Sequence, residues 1–285
     1  MIRIVLLGRT GNNLFQYALG RVLAERHGVP LVMDASWFNA ESWAEVSHFL
    51  KLPLRAKVVR RCSIGARALR KLTHLHYWEY RGVPVLHEAP EDQSFDQRLL
   101  DAPADCMLFG YFQTPGYFKG IASSLRTELN SLIGGSARVA EHDLAKLASP
   151  DAVAVHVRRT DYLHQPIFQV CNTEYYREAM RQMRELRPGA RFYVFSDDPA
   201  WCRREFPGAD QEVVDSHETT ANPLHDLRLM SLASHHIIAN STYSWWAAWL
   251  GEKPGQQVMM PDRWYAHGIK APIEEKKLSH WSVVG

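Results

Sequence analysis

The chain has 285 residues, with 33 lysines and arginines against 31 aspartates and glutamates and a formal net charge of +2. So even a balance gives no bulk attraction for nucleic acid or an anionic membrane, and any polyanion must be gripped by a local cluster. Cys62, Cys106, Cys171 and Cys202 lie far apart without a CxxC pair, which argues against a zinc ribbon or a disulfide framework and fits free thiols in a reducing compartment.

Ile2 to Leu7 predicts a strand directly after Met1, with no n-region or cleavage site of a signal peptide. Gly8-Arg9-Thr10-Gly11-Asn12-Asn13 then turns into a helix striped by Leu14, Phe15, Ala18, Leu19, Val22 and Leu23, and Gly28-Val29-Pro30 stops it. Leu31-Val32-Met33 reads as a second strand. From Ala35 to Asp105, Trp37, Trp43 and Trp78 mix with basic segments such as Arg55 to Lys71, and no topology is drawn there. Cys106 to Phe112 predicts a strand and Gly116 to Leu132 a helix. Gly134-Gly135-Ser136 is the most linker-like tripeptide and sets an expected domain boundary near residues 134–150.

From Asp151 the pattern is regular. Strand 152–157 leads to a helix over 173–187, with Tyr176, Met180, Met183 and Leu186 on one face and Pro188-Gly189 at its end. Strand Arg191–Phe195, a short helix from Pro199, strand Glu212–Val214 and helix Pro223–Ser234 follow. Strand His236–Ala239, helix Thr242–Leu250 and strand Gln257–Met260 complete the series. Strands alternating with helices imply right-handed crossovers and a parallel, doubly wound sheet. The expected division is an N-terminal α/β domain, residues 1–150, and a C-terminal Rossmann-like domain, residues 151–285. Leu229 to Gly251 lacks Asp, Glu, Lys and Arg, but polar residues such as His235, His236 and Asn240 at its middle favour helix, strand and helix over a membrane span.

The chemistry concentrates in four places. In His156-Val157-Arg158-Arg159-Thr160-Asp161-Tyr162, a buried strand delivers its carboxyl end, where an open α/β sheet places ligand chemistry. Side-chain alternation puts His156 and Arg158 on one face, and a planar guanidinium suits a phosphate, although Arg159 and Asp161 could simply pair on a loop. Asn240-Ser241-Thr242-Tyr243-Ser244 takes a strand into a helix whose first turn can bind phosphate, or in which Ser241 or Thr242 is an ordinary N-cap. Trp245, Trp246 and Trp249 read as helix packing rather than sugar platforms. Asp197 and Asp198 could accept from a guanine edge or hold a metal with a nucleotide diphosphate, or Ser196 or Asp197 could cap the helix at Pro199. The Gly8–Asn13 turn has neither GxGxxG nor a Walker lysine, and His74, His76, His235 and His236 lack partners for a metal site.

These blocks, in order with Gly11-Asn12-Asn13-Leu14-Phe15-Gln16-Tyr17-Ala18, Gly110-Tyr111-Phe112-Gln113 and Asp226-Leu227-Arg228-Leu229-Met230-Ser231-Leu232-Ala233, resemble the α-1,2-fucosyltransferases of glycosyltransferase family 11, bacterial enzymes included. The resemblance implies a GT-B fold, two Rossmann-like domains facing across a cleft, with the N-terminal one on the acceptor side and the C-terminal one binding GDP-fucose. It implies metal-independent, inverting transfer of L-fucose to the 2-hydroxyl of a β-galactoside, with no cofactor. Carried over, Arg158 contacts the β-phosphate, and His156 with Asp197 or Asp198 surrounds the nucleotide. Asn240, Ser241, Thr242 and Ser244 lie near the pyrophosphate, and Gly11 and Asn12 close over the donor. Asp161 is the candidate general base. Asn13 in place of the family's frequent Gln, and Gly8-Arg9-Thr10 in place of a more glycine-rich lead-in, depart from the pattern.

Rival readings are a manganese-dependent GT-A transferase using Asp197 and Asp198, a protein O-fucosyltransferase or other GDP-sugar transferase, and a non-catalytic glycan- or nucleotide-binding module. The expected partners are GDP-fucose and a glycan ending in β-galactose, with no nucleic acid. The expected location is cytoplasmic, with Arg55 to Lys71 as a candidate weak contact to the inner membrane surface and a solvated helix face as its plainer role. Oligomeric state is left open.

Overall fold

A computed structural model describes residues 1–60, 82–137, 139–214 and 222–285. Cys62, His74, His76, Trp78 and most of the basic segment Arg55 to Lys71 lie outside them. The chain forms two compact units, Met1–Leu125 and Arg126–Gly285, each built round a parallel sheet.

In unit 1, β1 (Ile2–Val5), β2 (Leu31–Asp34), β3 (Lys57–Val59), β4 (Val85–His87) and β5 (Cys106–Phe109) stand in the order β3-β2-β1-β5-β4. Helix α1 (Thr10–His27) follows β1 and is buried on nearly every side. It lies so close to the sheet that a Cβ on Gly20 would sit 2.6 Å from Leu31 Cδ1 and 2.9 Å from Ile4 Cδ1. Gly28, at φ 63°, ends it: its N–H donates to Glu25 O and that of Val29 to Ala24 O, a Schellman closure that disposes of the last carbonyls. The stretch that could not be read from sequence holds β3, β4 and helix α2 (Ala40–Leu50), which Asn39 and Ser42 cap reciprocally.

Two expectations shift at the end of this unit. The strand predicted to Phe112 stops at Phe109, because Phe112 takes a left-handed backbone, φ 56°. The helix predicted from Gly116 is a 3₁₀ segment over Pro115–Ile121, followed by α3 (Ala122–Ser136). Gly134, Gly135 and Ser136 close this helix rather than forming a linker, and the units divide at Leu125/Arg126. Each helical glycine costs about 1 kcal/mol, which the burial of Leu125, Leu129 and Ile133 outweighs.

Unit 2 has β6 (Ala152–Val157), β7 (Arg191–Ser196), β8 (Gln211–Val213), β9 (His235–Ile237), β10 (Val258–Pro261) and β11 (Ser282–Val284), in the order β11-β10-β9-β6-β7-β8. All pairings are parallel. The chain winds from β6 to one side through β7 and β8, and from β9 to the other through β10 and β11. The carboxyl ends of β6 and β9 therefore flank a topological switch point. Among its helices are α4 (Glu141–Leu147), α5 (Thr173–Leu186), α6 (Pro199–Glu205), α7 (Pro223–Leu232) and α8 (Thr242–Leu250), with a single turn over Ile273–Lys276.

Every residue of β6 is buried, and Val153, Val155 and Val157 pack with Tyr176, Met180 and Met183 of α5. Leu186, predicted on that face, is 53% exposed because the apolar stripe ends one turn earlier. Trp245, Trp246 and Trp249 are buried in α8, as the packing reading has it. The carbonyls ending α8 are taken up from α3: Arg126 Nε donates to Trp249 O at 2.8 Å and Asn130 Nδ2 to Leu250 O at 3.0 Å. The free thiols Cys106 and Cys202 are pushed up to about 11, and Cys171 to about 12, by burial.

His235 and His236 are structural. His236 Nε2 faces Met230 O at 2.9 Å and its Nδ1 faces Gln256 Nε2 at 3.2 Å, the arrangement of a neutral ring. Burial lowers its pKa from 6.5 to about 3. Unfolding between those values takes up a proton, so this contribution is complete above pH 6.5 and is lost as pH falls toward 3. Urea titrations should show stability falling below pH 6.5 with a slope approaching about 1.4 kcal/mol per pH unit, and His236→Gln should flatten it. A slope unchanged in that variant would place the titrating group elsewhere.

Candidate functional site

The side chains that leave β6 form one charged network. Arg158 places Nη2 2.8 Å from Asp161 Oδ1 and Nη1 3.0 Å from Asp197 Oδ2, with side chains of Arg158 and Asp197 only 18% and 13% exposed. Burial alone would lower the arginine's pKa, but the Asp161 hydrogen bond and both carboxylate charges hold it above the ordinary value. Asp197 also accepts from Arg159 N at 2.9 Å and from Thr160 Oγ1 at 2.6 Å. Arg159 Nε lies 3.2 Å from Asp198 Oδ2, and its guanidinium stacks 3.9 Å over the Trp201 ring. Asp198, not Ser196 or Asp197, caps α6 by accepting from Trp201 N.

The two carboxylates fix the plane of Arg158 while each Nη keeps a second N–H to offer. Asp161 is thereby a holder of the guanidinium. Asp197 and Asp198 are each engaged with an arginine. Among the described residues no group of three or more His, Cys, Asp or Glu is placed to hold a metal ion.

Beside this network, across the switch point, β9 turns into α8. Ser241 precedes the helix with extended backbone and makes no side-chain cap at the positive end of the α8 dipole. Asn240 is 3% exposed and spends its amide on Phe168 O at 3.1 Å and Trp264 O at 3.0 Å, while its own carbonyl accepts from Tyr162 Oη at 3.2 Å. Ser244, 1% exposed, donates to Ser241 O at 3.2 Å. Asn240 and Ser244 thus brace the turn that presents Ser241 and Thr242, while Asn240 Oδ1 is buried without a hydrogen-bond partner. His156 is buried with its ring 5.8 Å from that of Tyr243 in α8.

Unit 1 carries the other predicted residues. Gly11 is buried in the first turn of α1. Asn12 folds back over Gly8, where a Cβ would lie 2.1 Å from its Nδ2, and its Oδ1 accepts from Gln113 Nε2 at 3.1 Å. Asn13 donates to Leu7 O and to Gln16 Oε1, both at 3.0 Å, while Gln16 donates to Gly110 O at 2.8 Å. The substituted Asn13 is therefore a turn-forming residue.

Reading the sequence missed what holds Gln113. Glu88, 8% exposed, accepts from Tyr111 N at 2.7 Å and Phe112 N at 2.9 Å, clamping the left-handed Phe112 that presents Gln113 to Asn12. Such a conformation costs a non-glycine residue about 1–3 kcal/mol and persists where its surroundings over-determine it. Gly110 leaves the room, since a Cβ there would meet Glu88 Cβ at 2.5 Å.

The sequence profile of glycosyl transferase family 11 matches residues 52–284, most of the chain. The chain belongs to glycosyl transferase family 11. It is similar to the O-antigen biosynthesis glycosyltransferase WbnK of Escherichia coli, 32% identical over 127 residues, 43% of this chain and 42% of that one. An alpha-1,2-colitosyltransferase of E. coli is 27% identical over 276 residues, 91% of each chain. The galactoside alpha-(1,2)-fucosyltransferase 1 of Ateles belzebuth is 38% identical over 106 residues, 34% of this chain and 28% of that one. The aligned stretch is thus under half the length of the first and third relatives. Among the described residues no helix is long and apolar enough to cross a membrane.

Glu88→Ala should leave two amides without an acceptor and release the Phe112 turn, lowering stability by about 2–4 kcal/mol in chemical denaturation. An unchanged denaturation midpoint would show that the turn holds itself.

Proposed function

We propose that the chain transfers L-fucose from GDP-fucose to the 2-hydroxyl of a β-galactoside at the end of a glycan, with inversion and without a metal. The observation that carries this reading is Arg158, its plane set by Asp161 and Asp197 at the switch point beside the uncapped first turn of α8. The motifs around it are those of a family in which two relatives are named for α-1,2 transfer.

The steps follow from charge. Cleaving the fucose–phosphate bond puts negative charge on the β-phosphate while the sugar turns oxocarbenium-like. The guanidinium of Arg158 and the positive end of the α8 dipole meet that charge, which lowers the barrier. Asp161 serves by orienting Arg158. The acceptor oxygen bonds to C1 as GDP leaves with the electron pair of the broken bond. The hydroxyl proton passes to water, the sugar cation being electrophilic enough to need no strong base. A second donor has support in one relative, the colitosyltransferase matched over 91% of both chains. Colitose is L-fucose without its C3 hydroxyl, so GDP-colitose is the donor to set against GDP-fucose.

Incubation with GDP-fucose and a β-galactoside in EDTA should yield a product whose NMR spectrum shows an α-1,2 linkage. Preference for GDP-colitose would change the donor and keep the site, whereas a requirement for manganese would overturn the charge assignment. Arg158→Ala should cost about 10²–10³ in rate, and Arg158→Lys nearly as much, because an ammonium cannot span both carboxylates and a phosphate in one plane. Near-normal turnover of the lysine variant would refute the role of the fork.

A further inference from the structure

The turn that follows β6 brings one more side chain against Arg158. Leu163 N donates to Arg159 O at 2.8 Å, which closes a helical turn and carries Tyr162 back toward the guanidinium. Arg158 Cζ stands 5.7 Å from the centre of the Tyr162 ring, within reach of a cation–π attraction. The far end of the same ring serves a different strand: its hydroxyl donates to Asn240 O at 3.2 Å, at the exit of β9.

A second pair of contacts closes a circuit. The Tyr162 ring stacks on Phe168 at 4.8 Å and 21°, and the carbonyl of Phe168 accepts from Asn240 Nδ2 at 3.1 Å. The loop after β6 and the residue before Ser241 are therefore tied twice, through the hydroxyl of Tyr162 and through its ring. Burial pushes the Tyr162 phenol up to about 12 against the pull of the Arg158 charge, so the hydroxyl keeps the proton it donates. Tyr175 gives the contrast. Its buried hydroxyl donates to Ile238 O at 2.6 Å, two residues earlier on the same segment, but its ring lies in the core against Tyr176 at 5.0 Å.

We infer that Tyr162 is a positioning residue of the phosphate site: by spanning from the Arg158 guanidinium to Asn240 it keeps that guanidinium and the start of α8 in one fixed arrangement. The reaction it serves rests on the transferase reading above, whereas the coupling of the two turns rests on the contacts alone. Charge on the β-phosphate grows as the bond to fucose breaks, so a misaligned pair is felt most in the transition state.

Tyr162→Phe keeps the ring against Arg158 and Phe168 and removes only the hydroxyl. It should lower kcat with GDP-fucose about ten- to a hundredfold, with little change in the donor KM. On an Arg158→Lys background the same change should cost little more, because the fork it aligns is already gone. Tyr175→Phe loses a shorter bond to the same segment, so it should lower the denaturation midpoint at least as far and leave kcat unchanged. Hydrogen exchange reads the coupling without any substrate: Tyr162→Phe should speed exchange in both the 159–163 and the 240–243 turns, and Tyr175→Phe only around Ile238. Unchanged kcat in Tyr162→Phe, an equal fall in Tyr175→Phe, or a full cost on the lysine background would overturn the positioning role. If the unaltered chain turns over no GDP-fucose, the transferase reading fails by itself. Exchange raised in only one of the two turns would then still refute the coupling, and exchange raised in both would uphold it.

Discussion

A guanidinium at the end of a strand whose six residues are all buried is tolerated only where carboxylates neutralise it and water is replaced by fixed partners. Arg158 meets that condition through Asp161, three residues on, and Asp197, one residue beyond β7. Much of the surrounding structure follows. Asp197 reaches β6 because Val157 and Ser196 are paired in the parallel register, and it can then take the amide of Arg159 and the hydroxyl of Thr160. Asp198 is left to balance Arg159 and to start α6. Removing one member of such a buried cluster typically costs about 3–5 kcal/mol, much of it the penalty of the charge left behind.

The two units meet the same topological rule with different chemistry. In unit 2 the crevice between β6 and β9 is edged by an oriented guanidinium and by a helix start that its Ser241 does not cap. The far end of that helix is already satisfied by Arg126 and Asn130, so its polar ends are dealt with separately. In unit 1 the turn after β5 is edged by amides, and its strain is stored in Phe112 against a buried carboxylate.

Unit 2 was readable almost throughout because its signals are local. A continuous apolar strand, a Pro-Gly stop and an uncharged helix bounded by Ser241 and Gly251 each reveal themselves over a few residues. What failed depended on tertiary contacts. Gly134 and Gly135 look like a linker until Leu129 and Ile133 are seen to anchor their helix. Leu186 continues the α5 periodicity past the point where there is a sheet to cover. That the Asn240 amide nitrogen and the Ser244 hydroxyl also brace the turn itself is visible only in the folded chain. Glu88 lay in a stretch without periodicity, and nothing local marks Phe112 for a left-handed backbone; only the pairing of β4 with β5 brings the carboxylate to those amides.

The decisive property of the Arg158 network is whether it binds phosphate. Calorimetric titration of GDP in EDTA, on the unaltered chain and on Arg158→Ala, asks this without chemistry or acceptor. One GDP should bind per chain, and the variant should bind about ten- to a hundredfold more weakly. Equal affinity in the two proteins, or binding that awaits added manganese, would contradict it.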